Sequence, residues 1–135
     1  MAREDWAFTL RLGRFHGKTI CDPQLTPSSL IQAGCSKVFI TSRKAAACEE
    51  ACAALNALPF PGKAISVPSD ISQASEVDRL VAEVSKHTDH VDILFANAGA
   101  SWGASFDKTP ESSFDKVMNL NVKSVFLCTQ KYCNT

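Results

Sequence analysis

The sequence predicts an α/β fold, a three-layer sandwich around a parallel sheet, and three observations carry that prediction. Strand-like runs alternate with helical stretches from Lys37 to Gln130, the order that builds strand-helix-strand units with right-handed crossovers. The third of those strands, spanning Asp92 to Ala96, reads Ile93-Leu-Phe-Ala96 without a polar break, as expected where helices cover both faces of a parallel sheet. At 135 residues and 45% hydrophobic content, the chain holds one core and no second full domain.

Taken in order, Lys37-Val-Phe-Ile-Thr41 is β-branched and aromatic and predicts a strand, and the alanine-rich stretch from Ser42 to about Leu58 predicts a helix. Pro59-Phe-Pro-Gly62 is a loop, and Ala64-Ile-Ser-Val67 is a second strand. Asp70-Ile71-Ser72 opens a helix in which Val77, Leu80, Val81 and Val84 recur on one face. A further helix runs from Thr109 to Gln130, with Thr109 as its cap, Pro110 in the first turn and Phe114, Val117, Met118 and Val125 on its buried face. Asn121 falls on that face. A buried amide without partners costs on the order of a few kcal/mol, so Asn121 is expected to join a hydrogen-bond network or hold a water. A helix-end or interface asparagine is the alternative. Residues 1–16 form an N-terminal extension, in which Trp6, Phe8, Leu10 and Leu12 alternate as in an edge strand or stay loose, and residues 17–135 form the domain.

Composition narrows the partners. Fourteen basic and fourteen acidic residues cancel, so no net field draws nucleic acid or an anionic membrane. No apolar run nears the roughly 18 residues of a membrane span, and Met1 to Trp6 lacks the apolar core of a secretory signal; a cytoplasmic protein is expected. Cysteines 21, 35, 48, 52, 128 and 133 form no Cys-x-x-Cys pair, so neither a disulfide framework nor a metal site is expected. Cys48 and Cys52 share a helical face with Leu55 and read as packing residues, while His16, His87 and His90 lack matching ligands and read as surface.

Five short segments carry a family resemblance: Ile31-Gln-Ala-Gly34, Val38-Phe-Ile-Thr-Ser42-Arg43, Asp70-Ile71, Asn97-Ala98-Gly99 and Asn121-Val122. In this order, from about Leu30 to Lys131, the chain resembles the short-chain dehydrogenase/reductase family, which uses a Rossmann-type fold. The resemblance implies a partial Rossmann domain with the family's strands two, three and four and their helices. It places Gly34 at the end of the first helix, Ser42 and Arg43 at the adenosine ribose, and Asp70 and Ile71 at the adenine. Asn97, Ala98 and Gly99 match the signature after the fourth strand, and Asn121 matches the auxiliary asparagine of the catalytic tetrad. These residue types suit those roles: Gly99 has no Cβ to obstruct a ribose or ring, and the Asn97 amide can bridge strand ends. A carboxylate after strand two would accept the ribose 2′-hydroxyl; Ser42-Arg43-Lys44 stands there instead and suits the extra phosphate of NADP. The resemblance therefore implies NADP, hydride transfer and a small-molecule carbonyl or alcohol substrate, with 3-oxoacyl reduction a frequent family outcome. The residues alone leave open a plain strand-ending turn at Gly99 and a solvated helix start at Arg43-Lys44. A flavodoxin-like nucleotide-binding domain would leave Asn97-Ala-Gly99 and Asn121 unexplained as a pair.

Two departures from the family pattern bear on activity. Gly17-Lys-Thr-Ile20 resembles the start of the family's first strand, yet no glycine occurs between Gly17 and Gly34, where a glycine-rich turn would hold the pyrophosphate. Pro23 and Pro27 also remove backbone donors there, so strand one reads as degenerate. The family's serine and Tyr-x-x-x-Lys pair lie downstream of the position matched by Asn121, and for Tyr132, the single tyrosine, the lysine would be residue 136. The expectation is a truncated member without catalytic competence, whose Ile93–Phe95 strand lies on an open apolar edge. The alternative is a non-catalytic interaction module, an oligomer or a partner of a full-length relative, pairing through that edge or the 109–130 helix.

Overall fold

The structure, a computed structural model, describes residues 7–12 and 27–133. Its sheet has four strands in the order β3-β2-β1-β4. Strands β2 (Cys35–Thr41) and β3 (Lys63–Ser66) are parallel, Lys37 lying opposite Lys63 and Ile40 opposite Ser66. Helix α2 (Ala45–Asn56) joins them, and α3 (Ala74–Ser85) carries the chain to β4 (Ile93–Phe95) at the far side of the sheet. The pleat of β2 divides the core. Val38 and Ile40 pack with Cys48, Cys52 and Leu55 of α2, and with Ile31 of α1 (Pro27–Gln32). Phe39 points the other way, to Val77, Leu80 and Val84 of α3. The predicted three layers are present, and the Cys48-Cys52-Leu55 face is core packing.

The chain departs from expectation at its first strand. Residues 7–12, expected as an edge strand or a loose extension, form β1 in the interior of the sheet. β1 is antiparallel to both neighbours: Ala7 lies opposite Thr41, and Phe8 lies opposite both Ile40 and Phe95. It follows that β2, β3 and β4 share one direction while β1 opposes them. The physical reason is that the crossover through α3 leaves a one-strand gap between β2 and β4, whose inward N–H and C=O groups require partners. An alternating segment of either polarity satisfies that ladder. The Gly17–Ile20 strand start, and Pro23, lie outside the described residues. Pro27 is the first residue of α1, a position that needs no N–H, so the cost expected of it is absent. At the other end Gly34 takes φ 100° and donates its N–H to Ile31 O at 3.1 Å, closing the helix where the sequence placed its end.

The C-terminal helix has three parts: α4 (Glu111–Met118), a π-helical segment (Asn119–Lys123) and α5 (Ser124–Tyr132). Pro110 is its N-cap, and the Thr109 hydroxyl donates instead to Ser105 O at 3.1 Å, so Thr109 is not the cap. Its buried face also differs from the predicted one. Ser113, Leu120, Ser124 and Cys128 are buried, whereas Phe114 and Met118 are exposed and Val117 and Val125 half-buried. The wider π-turn shifts the phase of the helix, and the two serines give a slim surface that seats closely on its neighbours. Ser124 Oγ, fully buried, donates to Leu120 O within the helix. Among the described residues β4 has no strand on its outer side, as expected. No helix among them is long and apolar enough to cross a membrane.

Candidate functional site

Because β2, β3 and β4 run the same way, the segments leaving their C-terminal ends meet on one crest of the sheet. Ser42 leaves β2, and its Oγ accepts the Lys44 N–H at 3.1 Å, forming the turn that opens α2. The Ser42 carbonyl accepts the Ser69 N–H at 3.1 Å, tying the segment after β2 to the segment after β3. Asp70 follows. Its Oδ1 accepts both the backbone N–H (3.1 Å) and the hydroxyl (2.7 Å) of Ser72, while its carbonyl accepts the Gln73 N–H at 3.0 Å. The carboxylate thus shapes the turn into α3, and Ile71 is buried beneath it.

Between these segments lies a shallow open hollow, which brings together Ser42, Arg43, Asp70, Ile71 and Ala98 from the predicted set. Thr41, Ser69 and Leu120 complete its wall, and sequence reasoning did not single them out. Thr41 was legible only as the last residue of a strand, and Ser69 only as a neighbour of Asp70. Burial distinguishes them: Thr41 and Ser69 are both buried, and Thr41 Oγ1 has no hydrogen-bond partner. A hydroxyl, a guanidinium and a carboxylate gathered over an apolar floor can hold a ligand with hydroxyl groups and a negative charge. Cys48, beside Ser42, plays no acid–base part; burial pushes its thiol up, against the lowering effect of its contact with Ser42.

The second predicted cluster is joined separately. Asn121 Oδ1 accepts the Ala100 N–H at 2.7 Å, and Asn121 Nδ2 donates to Ala100 O at 2.9 Å. The side-chain amide thus pairs with the loop backbone as a strand would. A Cβ on Gly99 would lie 3.3 Å from Asn121 Oδ1, so a bare glycine there lets the pair close. The expected hydrogen-bond network is present, but Asn121 is exposed rather than buried, because the π-turn carries it to the loop side of the helix. Asn97, also exposed, turns its N–H back to Phe95 O at 3.1 Å. Tyr132 lines an adjoining hollow, with Leu80 and Cys128, which shares Thr41, Ile71 and Ala98 with the first.

Residues 25–135 match the short chain dehydrogenase family. The chain belongs to the short-chain dehydrogenase/reductase family. It is 39% identical over 108 residues to the rhamnolipids biosynthesis 3-oxoacyl-[acyl-carrier-protein] reductase of Pseudomonas aeruginosa, covering 80% of this chain and 41% of that one. It is 34% identical over 68 residues to a hydroxynaphthalene reductase-like protein of Metarhizium guizhouense, covering 50% and 26% respectively. Among solved structures, an NADP active-site complex of Pseudomonas aeruginosa RhlG superimposes with a TM-score of 0.72 at 38% identity, covering 78% of this chain and 40% of that one. A short-chain dehydrogenase/reductase of Mycobacterium marinum, with a TM-score of 0.73 at 22% identity, has the same fold over 79% of this chain and 41% of its own. The chain thus spans about two fifths of the reductase it resembles over 108 residues.

Proposed function

We propose that this short-chain dehydrogenase/reductase chain carries the adenosine side of an NADP site. The observation that carries the reading is the shared hollow of Ser42, Arg43, Asp70, Ile71 and Ala98. Ser42 and Arg43 face the ribose and its 2′-phosphate, the guanidinium supplying charge and paired donors. Asp70 and Ile71 face the adenine, and Asn97 and Gly99 border the path toward the nicotinamide. The reductase of Pseudomonas aeruginosa and the NADP complex support the cofactor, and they support a parent reaction of NADP-dependent reduction of small-molecule carbonyls, 3-oxoacyl groups included.

The 135-residue chain itself is proposed to bind without turning over. Hydride transfer needs a nicotinamide held against the substrate and a proton donor within hydrogen-bond reach. Asn121 occupies only the auxiliary position, and these residues hold no Tyr-x-x-x-Lys pair. β1 enters the crest with its first residue, Ala7, opposite Thr41, whereas a phosphate-binding turn follows the last residue of such a strand. Titration with NADP and NAD, beside NADPH oxidation assays on ketones and 3-oxoacyl substrates, tests both parts. The expected result is saturable binding that prefers NADP, with no steady oxidation; steady turnover refutes the inactivity, and equal affinity for NAD refutes the role of Arg43.

A second reading, a module that pairs with another chain, is favoured by one observation. Phe114, Met118, Val122 and Phe126 are all exposed on the 111–132 helix, at a spacing of four residues. If they form an interface, Phe126→Asp lowers the mass measured by light scattering at micromolar concentration.

A further inference from the structure

We infer that Arg79 is a positioning residue for the adenosine site, an inference that rests on the NADP reading above. Arg79 lies in the second turn of α3, and no part of the family resemblance draws attention to it. Its Nη2 lies 2.5 Å from Pro68 O, 2.9 Å from Ser69 Oγ and 2.6 Å from Glu76 Oε2, and its Nε donates to Glu76 Oε1 at 3.0 Å. Glu76 therefore grips the guanidinium from one side by two parallel bonds, and the other side of the same group is presented to the segment after β3.

That segment is also held by its own bonds, the Val67 N–H donating to Ile40 O at 2.9 Å and Asp70 Oδ1 closing the turn on Ser72, and Arg79 ties it to α3. Ser69 is the joint. Its hydroxyl meets Arg79, its N–H donates to the Ser42 carbonyl at 3.1 Å, and its side chain lines the hollow between Ser42 and Asp70. A continuous chain of bonds thus runs from Glu76 through Arg79 and Ser69 to Ser42, from a helix packed into the core by Val77 and Leu80 to the residues proposed to meet the ribose. Arg79 itself is about half exposed and touches the loop from outside the hollow, so it sets the separation of Ser42 and Asp70 without meeting the ligand. A loop so tied loses less freedom when a ligand binds, which raises affinity without a new contact.

The test uses the full 135-residue chain, with 2′,5′-ADP and NADP as probes in calorimetric titration and amide exchange as the structural readout. Arg79→Met is expected to weaken both ligands about tenfold, the scale of one charge-assisted hydrogen bond, and to speed exchange at the Ser69 amide while leaving Val77 and Leu80 protected. The exchange charge pair Glu76→Arg/Arg79→Glu separates positioning from mere helix support: it restores the ion pair within α3 but puts a carboxylate against Pro68 O, so binding stays weak. Recovery of wild-type affinity in that double variant overturns the proposal, as does wild-type affinity in Arg79→Met. Absence of binding by the unaltered chain overturns the NADP reading, and with it the role given to Arg79.

Discussion

Phe39 and Phe126 are aromatic residues in regular elements of one small fold, yet Phe39 is 1% exposed and Phe126 is 62% exposed. The contrast runs through the molecule. The β2–β3 region has strands paired on both sides or capped by helices, and the Cys35 to Thr41 strand is buried along most of its length. The β4 region has a three-residue edge strand, half-buried throughout, and a helix that turns four large apolar residues outward. Both are apolar in sequence. What separates them is a partner: apolar periodicity says that a face can be buried, and only a neighbouring element buries it.

The sharpest test of that contrast is a matched pair of truncations. Phe39→Ala is expected to cost about 3–5 kcal/mol in urea unfolding, whereas Phe126→Ala should change stability by no more than about 0.5 kcal/mol. Comparable losses would mean that Phe126 is covered in solution. The alkaline limb of stability probes the dense side as well. Burial pushes the thiols of Cys35 and Cys52 up to about 11. In the unfolded chain they ionise near their ordinary value of 9.0, so between about pH 9 and 11 the unfolded state releases protons that the folded state retains. Stability should be full below pH 9 and fall through that window by up to about 2 kcal/mol per thiol. Urea unfolding at stepped pH reads the slope, which Cys52→Ala should reduce.

Two glycines extend the comparison on a smaller scale. A Cβ at Gly62 would lie 2.2 Å from the carbonyl oxygen of Cys35, so Gly62→Ala must push backbone apart and should cost about 1–3 kcal/mol. Gly103, in the exposed segment before α4, meets nothing within 4 Å; there Ala should be neutral, or gain up to about 1 kcal/mol through the unfolded chain. The loop clamp should matter less than Gly62. Asn121→Ala should cost about 0.5–1.5 kcal/mol, since water can replace its amide at an exposed site, and should speed exchange of the Ala100 amide. Unchanged exchange at Ala100 would show the clamp to be idle.

Legibility followed the same divide. Strand β2, helix α2 and the Val77–Leu80–Val84 face of α3 could be read directly, because local propensity and burial agree there. The grouping of Ser42, Arg43, Asp70, Ile71 and Ala98 followed from the parallel order of strands, which sends their exits to one crest. Misreadings arose where a non-local partner decides. The face of α4 was misassigned because a π-turn is invisible to a regular helical period. Thr109 carried the composition of a cap, but its hydroxyl was taken by Ser105. Arg79 gave no signal at all, since its loop partners lie ten and eleven residues away through a turn.

The sequence by itself determined the elements, their alternation and the residue types on the crest, because periodicity, propensity and turn chemistry act within a few residues. The tertiary structure alone decided the slot and polarity of β1, which side of the 111–132 helix is covered, and the bonds joining Glu76, Arg79, Ser69 and Ser42. Those outcomes depend on which backbone groups and surfaces are left unpaired once the rest of the chain has packed. That quantity belongs to the whole fold and to no single segment.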